Sequence, residues 1–468
     1  MTMKLCPVIL AGGFGVRLWP LSRQQAPKPF IQFGAEQPTL FQQTAQRLNG
    51  LPELTNSIVV CNQDHRFYVS EQLETLNQTA QLLLEPLGRN TAPALTLAAL
   101  WMLAYQQDDI MLVLPADHLI QNQARFHEAV VAAVKLAEQD HLVTFGVVPN
   151  QPHTGYGYIK KGDQSKVEAF VEKPDLETAK AYMDSGNYLW NSGMFVMKAS
   201  VWLNELKAHA SDMFSVCEAT FASSEQKAPN FWINKESFEN CPSDSIDYAV
   251  MEKTSQAAVV PLDAQWSDVG DWAALQATQQ DQDGNWVQGD VVSQNTKNSL
   301  LMAQSRLLTT SGLEGMIVVE TADAVLVAPK DQAQNIKPLV DQLSQHERTE
   351  VSNHVKVHKP WGSYQVLDVG EGFQVKRLTV HPGAALSLQA HNFRVEHWVV
   401  VTGTARVTVG DEIKILEKNE AVYIPPKARH RLENPGNVTM ELIEVQLGSY
   451  LGEDDIIRFE DEFDRIDH

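Results

Sequence analysis

The strongest constraint on the fold lies close to the N-terminus. There Val8, Ile9 and Leu10 form an unbroken apolar run that passes directly into a loop with glycine at positions 12, 13 and 15. A run without polar alternation suits a strand covered on both faces, which obliges the chain to supply helices on either side of a sheet. Short apolar runs then alternate with helical patterns as far as residue 147: SIVVC at 57–61, a helix from Asp64, QLLLE at 81–85, a helix from Thr91, and IMLVLPADH at 110–118. Such alternation predicts crossover connections and a mostly parallel sheet, with ligands at the carboxyl ends of the strands. The glycine loop, EPLGRNTAP at 85–93 and Asp117 all follow strands, so one rim of the sheet gathers them.

The loop itself points to phosphate. Gly12, Gly13 and Gly15 permit a tight turn and let backbone N–H groups reach phosphate oxygens without a Cβ in the way. Arg17, Arg23 and Lys28 follow at fixed distances, as a cradle for a nucleoside triphosphate requires. A Walker A loop needs Gly-Lys-Ser/Thr, and the dinucleotide fingerprint needs glycine where this chain has Leu18; both patterns fail. A carboxylate directly after LVLPA, Asp117, can leave the sheet end and meet Mg²⁺ on a triphosphate, and Asp268 in WSDVGDW offers a second oxygen ligand. TGYGYI at 154–159, FVEKP at 170–174 and WNSGMF at 190–195 read as strand ends or turns that present polar groups of the kind sugar hydroxyls need.

Together these segments resemble the sugar nucleotidyltransferases, whose pattern reads roughly GGxGTRLxPLTxxxPKP. The version RLWPLSR, with Trp19 and Ser22, resembles the mannose-1-phosphate guanylyltransferase branch. The resemblance implies a Rossmann-like (GT-A-like) domain that binds GTP through Gly12, Gly13, Gly15, Arg17, Lys28, Glu85, Arg89 and Asn90. It implies mannose 1-phosphate at Gly157, Glu172, Lys173 and Asn191, Mg²⁺ at Asp117 and Asp268, and charge neutralisation by Arg17 and Lys28 during in-line attack on the α-phosphorus. Two positions depart from the family pattern: Val16 stands where a Thr is usual, and Pro29 where the guanylyltransferase segment has Gln.

At 468 residues the chain exceeds what one core usually supports. Its net charge of −21 argues against nucleic acid or an anionic membrane as a partner. No apolar run approaches the ~20 residues of a membrane span, and no signal-peptide pattern opens the chain. Cys6, Cys61, Cys217 and Cys241 form no CxxC pair, as expected of free thiols in a reducing, cytoplasmic compartment.

The texture changes after residue 283. WVQGDVV, GMIVVE and AVLVAP suggest a small β-helix-like module over 284–345, after a nucleotidyltransferase domain of 1–283, and the charged stretch 346–355 reads as a linker. From 356 to 468, strands recur at nearly regular intervals, as in a double-sheet β-barrel. The fold class is therefore α/β plus β. Within the barrel, Gly383, Gln389, His391, Glu396 and Gly403 follow the first cupin motif, and Pro425, His430 and Asn434 the second. Gln389 and His391 are two apart and point the same way, so that with Glu396 and His430 four ligands can converge on Zn²⁺, Co²⁺, Mn²⁺ or Fe²⁺.

A cupin joined to such a transferase resembles the bifunctional type II mannose-6-phosphate isomerases, including KPWGSY at 359–364 and QLGSYLGEDDIIRFEDEF at 446–463. The resemblance implies interconversion of mannose 6-phosphate and fructose 6-phosphate, with Arg394 as the candidate for phosphate binding or electrophilic help. The family's QMHHHR is here Gln-Ala-His-Asn-Phe-Arg, so Asn392 and Phe393 replace two histidines. Three other readings stay open: a transferase with a non-catalytic cupin, a regulatory homologue that binds nucleotide sugar without turnover, and a transferase for another base or sugar. The exposed edges of a cupin sheet are compatible with a homodimer.

Overall fold

The computed structural model describes residues 3–34 and 37–460, so the end of the EDEF segment lies outside the described residues. The chain forms two compact units, one through Val351 and one from Ser352.

In the first unit, β1 (Leu5–Ala11), β2 (Ser57–Asn62), β3 (Ala80–Glu85) and β4 (Ile110–Pro115) lie at the centre of an 11-stranded sheet in the order β3-β2-β1-β4. All four are parallel, with Val8 opposite Ile58 on one side and Val113 on the other. The apolar run of β1 is buried on both faces, as its lack of alternation predicts. Helix Thr91–Tyr105 buries ten of its residues against one face. Helix Gln123–Ala137 covers the other. Strand order reverses between β1 and β4, and a crevice outside their carboxyl ends follows from that reversal.

The WNSGMF segment differs from expectation. It is the middle of an eleven-residue strand, Tyr188–Lys198, that runs antiparallel between β4 and Leu142–Val147. A register shift between Thr144 and Gly146 bends this ladder beside Asn191, so the polar residue comes from a distorted strand and not from a turn.

Beyond residue 283, Trp286–Gln288, Leu300–Ala303 and Met316–Glu320 stack as parallel rungs, and Val291–Gln294 pairs in parallel with Leu308–Ser311. The rungs do not enclose a core of their own. Trp286, Leu300, Met302, Ile317 and Val319 pack with Leu18, Trp19, Leu21 and Trp272, which belong to the segments following the glycine loop and Asp268. Residues 346–351, part of the expected linker, are held to this body: Val351 is buried in the same core, its carbonyl accepts from Gln24 N, and the Glu350 carbonyl accepts from Trp19 Nε1 at 3.0 Å.

The second unit is a barrel of one six-stranded and one five-stranded sheet. Strand Arg394–Thr402 shows the period-2 alternation that sorts side chains between interior and solvent: Arg394, Glu396, Trp398 and Val400 are buried, and His397 and Val399 are exposed. The interior is apolar at one end, around Trp361, Leu378, Val400 and Leu442, and polar at the other.

Candidate functional site

A crevice of about 730 Å³ opens at the carboxyl ends of β1 and β4, within the range of small-molecule sites. Gly12, Gly13, Glu85, Asn90, Asp117, Gly157, Glu172, Asn191 and Asp268 all line it, although they come from seven separate segments. Lys28 lies buried behind the glycine loop. Its ammonium donates to Asp117 Oδ2 at 2.7 Å and to the backbone carbonyl of Asp268. Gly15 makes this approach possible: its φ is +62°, and a Cβ there would collide with the Lys28 stem.

Asp268 is held from the other side. Its Oδ1 accepts from the Tyr156 hydroxyl at 2.6 Å and from Gly270 N at 3.0 Å. Burial acts to raise the Asp117 carboxyl, but the Lys28 ammonium and His118 outweigh it and keep the group below its ordinary range. His118 Nδ1 accepts from Trp266 Nε1 at 3.2 Å, and burial pushes the imidazole down to about 4, so it stays neutral near pH 7. The reading of the sequence missed His118 and Tyr156, although both sit inside segments it singled out, LPADH and TGYGYI.

Across the crevice, Asn191 is already engaged. Its Oδ1 accepts from Thr144 Oγ1 at 3.0 Å and its Nδ2 donates to Asp247 Oδ1 at 2.9 Å. Burial and the charge of Glu172 push Asp247 up to about 7, leaving a carboxyl that changes charge near neutrality. Asp247 opens a π-turn, Asp247–Met251, which has no local sequence signature, so only the fold reveals it. Lys173, at φ +47°, pairs with Glu172 at 2.8 Å and keeps a half-exposed ammonium. Burial would lower its pKa, but the Glu172 contact prevails and raises it.

At the end of β3, Glu85 is buried against the crevice with Oε1 unpartnered, and burial pushes its carboxyl up to about 8. Asn90 caps the helix Thr91–Tyr105 through Oδ1 at 2.9 Å and, with Thr91, presents that helix N-terminus to the crevice. Arg89 does not line the crevice; its guanidinium is turned to the Glu239 carbonyl. Arg17 lies exposed on the loop. Arg23, expected among the phosphate cations, is a correction: it is buried away from the crevice, paired with Asp323 at 2.8 Å and bonded to the Pro20 and Glu350 carbonyls. A buried cation needs such partners, and here they tie the loop to the β module. Val16 also points away, packing beside Trp19 and Val340 behind the loop, so its missing hydroxyl does not face the crevice.

In the barrel, ligand atoms of His391, Glu396 and His430 lie within 4.8 Å of one another, and all three residues are buried. His430 Nδ1 lies 2.9 Å from the Ala428 carbonyl; donation there leaves the Nε2 lone pair aimed at Glu396, 3.6 Å away, with no hydrogen-bond partner. Burial acts to raise Glu396, but His391, His430 and Arg394 hold its carboxyl down at about 2. Donors from Trp398 Nε1 and Gln446 Nε2, both at 3.1 Å, fix its two oxygens. A neutral imidazole oriented by a backbone carbonyl, beside an oriented carboxylate, fits a divalent transition metal. Gln389 is the cross-strand neighbour of His430, and its Oε1 accepts from Ser387 Oγ at 3.1 Å.

Each guanidinium nitrogen of Arg394 has a partner. Its Nε donates to Glu396 Oε1 at 3.2 Å, its Nη1 to the Leu451 and Gly452 carbonyls, and its Nη2 faces His391 Nε2. Asn392 and Phe393 are exposed, their backbone N–H groups bonded to Asp455, so the histidines they replace would not have faced the barrel interior.

Comparison with known proteins finds matches along nearly the whole chain. A nucleotidyl transferase family model matches residues 6–284, a MannoseP isomerase/GMP-like beta-helix domain matches 289–343, and a mannose-6-phosphate isomerase C-terminal domain matches 346–461. The alginate biosynthesis protein AlgA of Pseudomonas syringae is 50% identical over 98% of this chain and 97% of its own length. The mannose-1-phosphate guanylyltransferase ManC of Salmonella typhimurium is 48% identical over 99% of both. Among solved structures, a mannose-1-phosphate geranyltransferase from Thermus thermophilus aligns with 73% of this chain and all of its own, at 33% identity and a TM-score of 0.65. A mannose-6-phosphate isomerase from Helicobacter pylori covers 57% of this chain and 100% of its own, at 32% identity and a TM-score of 0.51. With its crevice at the head of a parallel sheet and its histidine-carboxylate cluster inside a barrel, the chain belongs to the nucleotidyl transferase family, in the mannose-1-phosphate guanylyltransferase group that carries a mannose-6-phosphate isomerase C-terminal domain.

Proposed function

We propose that the first unit transfers GMP from GTP to mannose 1-phosphate, and that the barrel interconverts mannose 6-phosphate and fructose 6-phosphate. The observation that carries the first reading is Lys28, which joins Asp117 to the Asp268 segment beneath the glycine loop. An oxygen of the sugar phosphate attacks the α-phosphorus of GTP, and the bond from that phosphorus to the β-phosphate oxygen breaks, giving GDP-mannose and pyrophosphate. The protein's work is to bring two anions together. Backbone N–H groups of Gly12 and Gly13 seat the triphosphate, and Lys28 and Arg17 offset its charge. Asp117 and Asp268 suit Mg²⁺, which favours one or two carboxylates with the remaining positions taken by phosphate and water. When bound, the ion would screen the developing charge on the phosphates.

Glu85 suits the guanine edge, because an ionised carboxylate can accept from two neighbouring N–H donors at once. Glu172, Asp247 and Asn191 offer acceptors and a donor to sugar hydroxyls, and Lys173 offers its ammonium to the sugar phosphate. A pyrophosphate-release assay with GTP and mannose 1-phosphate, set beside ATP, UTP and glucose 1-phosphate, tests this reading. A folded protein that is silent with the first pair overturns it.

The isomerase reading rests on the unpartnered His430 Nε2 opposite Glu396. A divalent metal held there would polarise the sugar carbonyl; Arg394 keeps Glu396 and His391 oriented and adds positive charge beside them. Conversion of mannose 6-phosphate that is lost on chelation and restored by Zn²⁺, Co²⁺, Mn²⁺ or Fe²⁺ is the expected outcome. The same proposal takes the chain as a cytoplasmic dimer of this enzyme, for which sedimentation at micromolar concentration is the test. No described helix is long and apolar enough to cross a membrane.

A further inference from the structure

Lys376 and Arg458 remain unexplained by either reaction. Lys376 is buried in the barrel interior, on the strand Phe373–Val380, opposite Glu444 in the ladder. Its ammonium lies 5.0 Å above the Tyr364 ring and 2.7 Å from Glu453 Oε1. Glu453 is half exposed at the barrel mouth, in a short turn that also supplies the carbonyl of Gly452 to Arg394. Arg458 lines the same cavity, together with Gln389, Arg394, Glu396, Glu444 and Lys359, and its buried Nε has no hydrogen-bond partner. Lys359 and Tyr364 come from KPWGSY, and Glu453 and Arg458 from the segment near the C-terminus, two motifs that the metal site leaves unused.

We propose that Lys376 and Arg458 form the phosphate subsite of the barrel, and that Glu453 occupies Lys376 only until the phosphate of a hexose 6-phosphate displaces it. The inference rests on the isomerase reading and deepens it. Arg394, the cation expected from the sequence to hold the phosphate, already bonds Glu396 and the Leu451 and Gly452 carbonyls through Nε and Nη1. Lys376 instead pairs directly with one half-exposed carboxylate on a surface turn, which can swing into water at little cost. Its position also suits the substrate's length. On the intervening strand Met440–Gly448, Glu396 pairs with Gln446 and Lys376 with Glu444, so two strand steps of about 4.8 Å and a two-residue rise of about 7 Å put their backbones roughly 12 Å apart. The seven bonds from C1 of an open-chain hexose to its phosphorus extend about 8 Å at the ~1.2 Å per bond of extended covalent geometry. A carbonyl beside Glu396 therefore leaves the phosphate within reach of the Lys376 side chain, whose ammonium extends to the turn that carries Glu453.

The test is calorimetric binding of mannose 6-phosphate to the metal-loaded full chain, with mannose as the uncharged control, run beside isomerase kinetics. Lys376→Met is expected to weaken mannose 6-phosphate binding and raise KM about tenfold or more, with metal content retained, and Lys376→Arg to restore much of the loss. Glu453→Gln is expected to act in the opposite direction and tighten binding a few-fold, a gain that a purely structural ion pair does not give. If Lys376→Met does not fold, Arg458→Gln, at a partly exposed position, carries the same prediction. Unchanged mannose 6-phosphate affinity in Lys376→Met or Arg458→Gln, or weaker binding in Glu453→Gln, overturns the subsite. Wild-type protein that binds mannose 6-phosphate through these residues without converting it sinks the isomerase reading and leaves the subsite standing; wild-type protein that discriminates in no way between mannose 6-phosphate and mannose sinks the subsite.

Discussion

Asp117 and Asp268 in the crevice are each satisfied from within the chain, by Lys28 and by Tyr156, whereas Glu396, His391 and His430 in the barrel converge and leave a ring nitrogen over. On the proposed reading, the difference reflects where the ligands of each metal would come from. In the crevice the triphosphate brings most of the negative charge and most of the oxygens, so before it arrives two bare carboxylates near each other need an internal cation and a hydroxyl. In the barrel the protein supplies the ligands itself, and the desolvated carboxylate is held by Arg394, Trp398 and Gln446 whether or not an ion is present. On that reading, one site would be completed by its substrate, and the other is assembled in advance.

Breaking each site separately is the sharpest test of that contrast. Lys28→Ala or Asp117→Ala is expected to lower transferase kcat by about 10²–10³ while mannose 6-phosphate conversion stays within about twofold, as read by pyrophosphate release and by a coupled isomerase assay on one preparation. His430→Ala is expected to do the reverse. It should weaken metal retention by at least the 10–100-fold that follows loss of an outer partner, seen by metal analysis after dialysis, with transferase turnover kept. Equal loss of both activities in either variant would mean that the sites are not independent.

A smaller effect sharpens the role of preorganisation in the crevice. Gly15→Ala forces a left-handed backbone on an L residue, at about 1–2 kcal/mol, and drives a Cβ into the Lys28 stem; transferase kcat/KM should fall about tenfold, with a thermal midpoint lower by a few degrees.

Glu85 gives a pH signature. Its carboxyl stands near 8 in the folded chain against an ordinary value of 4.5, so between those values the folded state keeps a proton that the unfolded state releases, and stability falls as pH rises through that window. Glu85→Gln should remove that fall and raise stability at pH 8 by about 1–3 kcal/mol in urea titrations, while GTP loses its advantage over ATP in turnover. For the natural chain, GTP affinity should improve as pH rises toward 8, because the ionised carboxylate is the acceptor that guanine N–H groups require. The smallest effects are expected at the two departures from the family pattern. Phe393→His and Val16→Thr should each change their reaction by no more than about twofold, since one side chain faces solvent and the other packs behind the loop.

Much of the site was legible because its parts are local. A strand, a glycine loop and a following lysine are read within one segment, and the period-2 sorting that turns Glu396 inward is visible along a single strand. What escaped notice depends on contacts between distant segments. Asp247 has no motif and matters because burial and Glu172 hold its proton. Arg23 has the spacing of a phosphate ligand, yet Asp323, three hundred residues on, claims it. Lys376 sits in a plain alternating strand, and the turn that carries Glu453, nearly eighty residues on, gives it an ionic partner.

By itself, then, the amino-acid sequence determined which segments end at a sheet rim, which residues face a barrel interior and which chemical families both resemble, because periodicity and spacing are written along the covalent chain. The tertiary structure alone decided how each charge is spent: Arg23 and Arg394 on internal carboxylates and carbonyls, Lys28 between Asp117 and the Asp268 backbone, Glu85 uncharged against the crevice. The physical reason is that ionisation and hydrogen bonding answer to the nearest groups in space and to burial, and neither quantity is a function of distance along the chain.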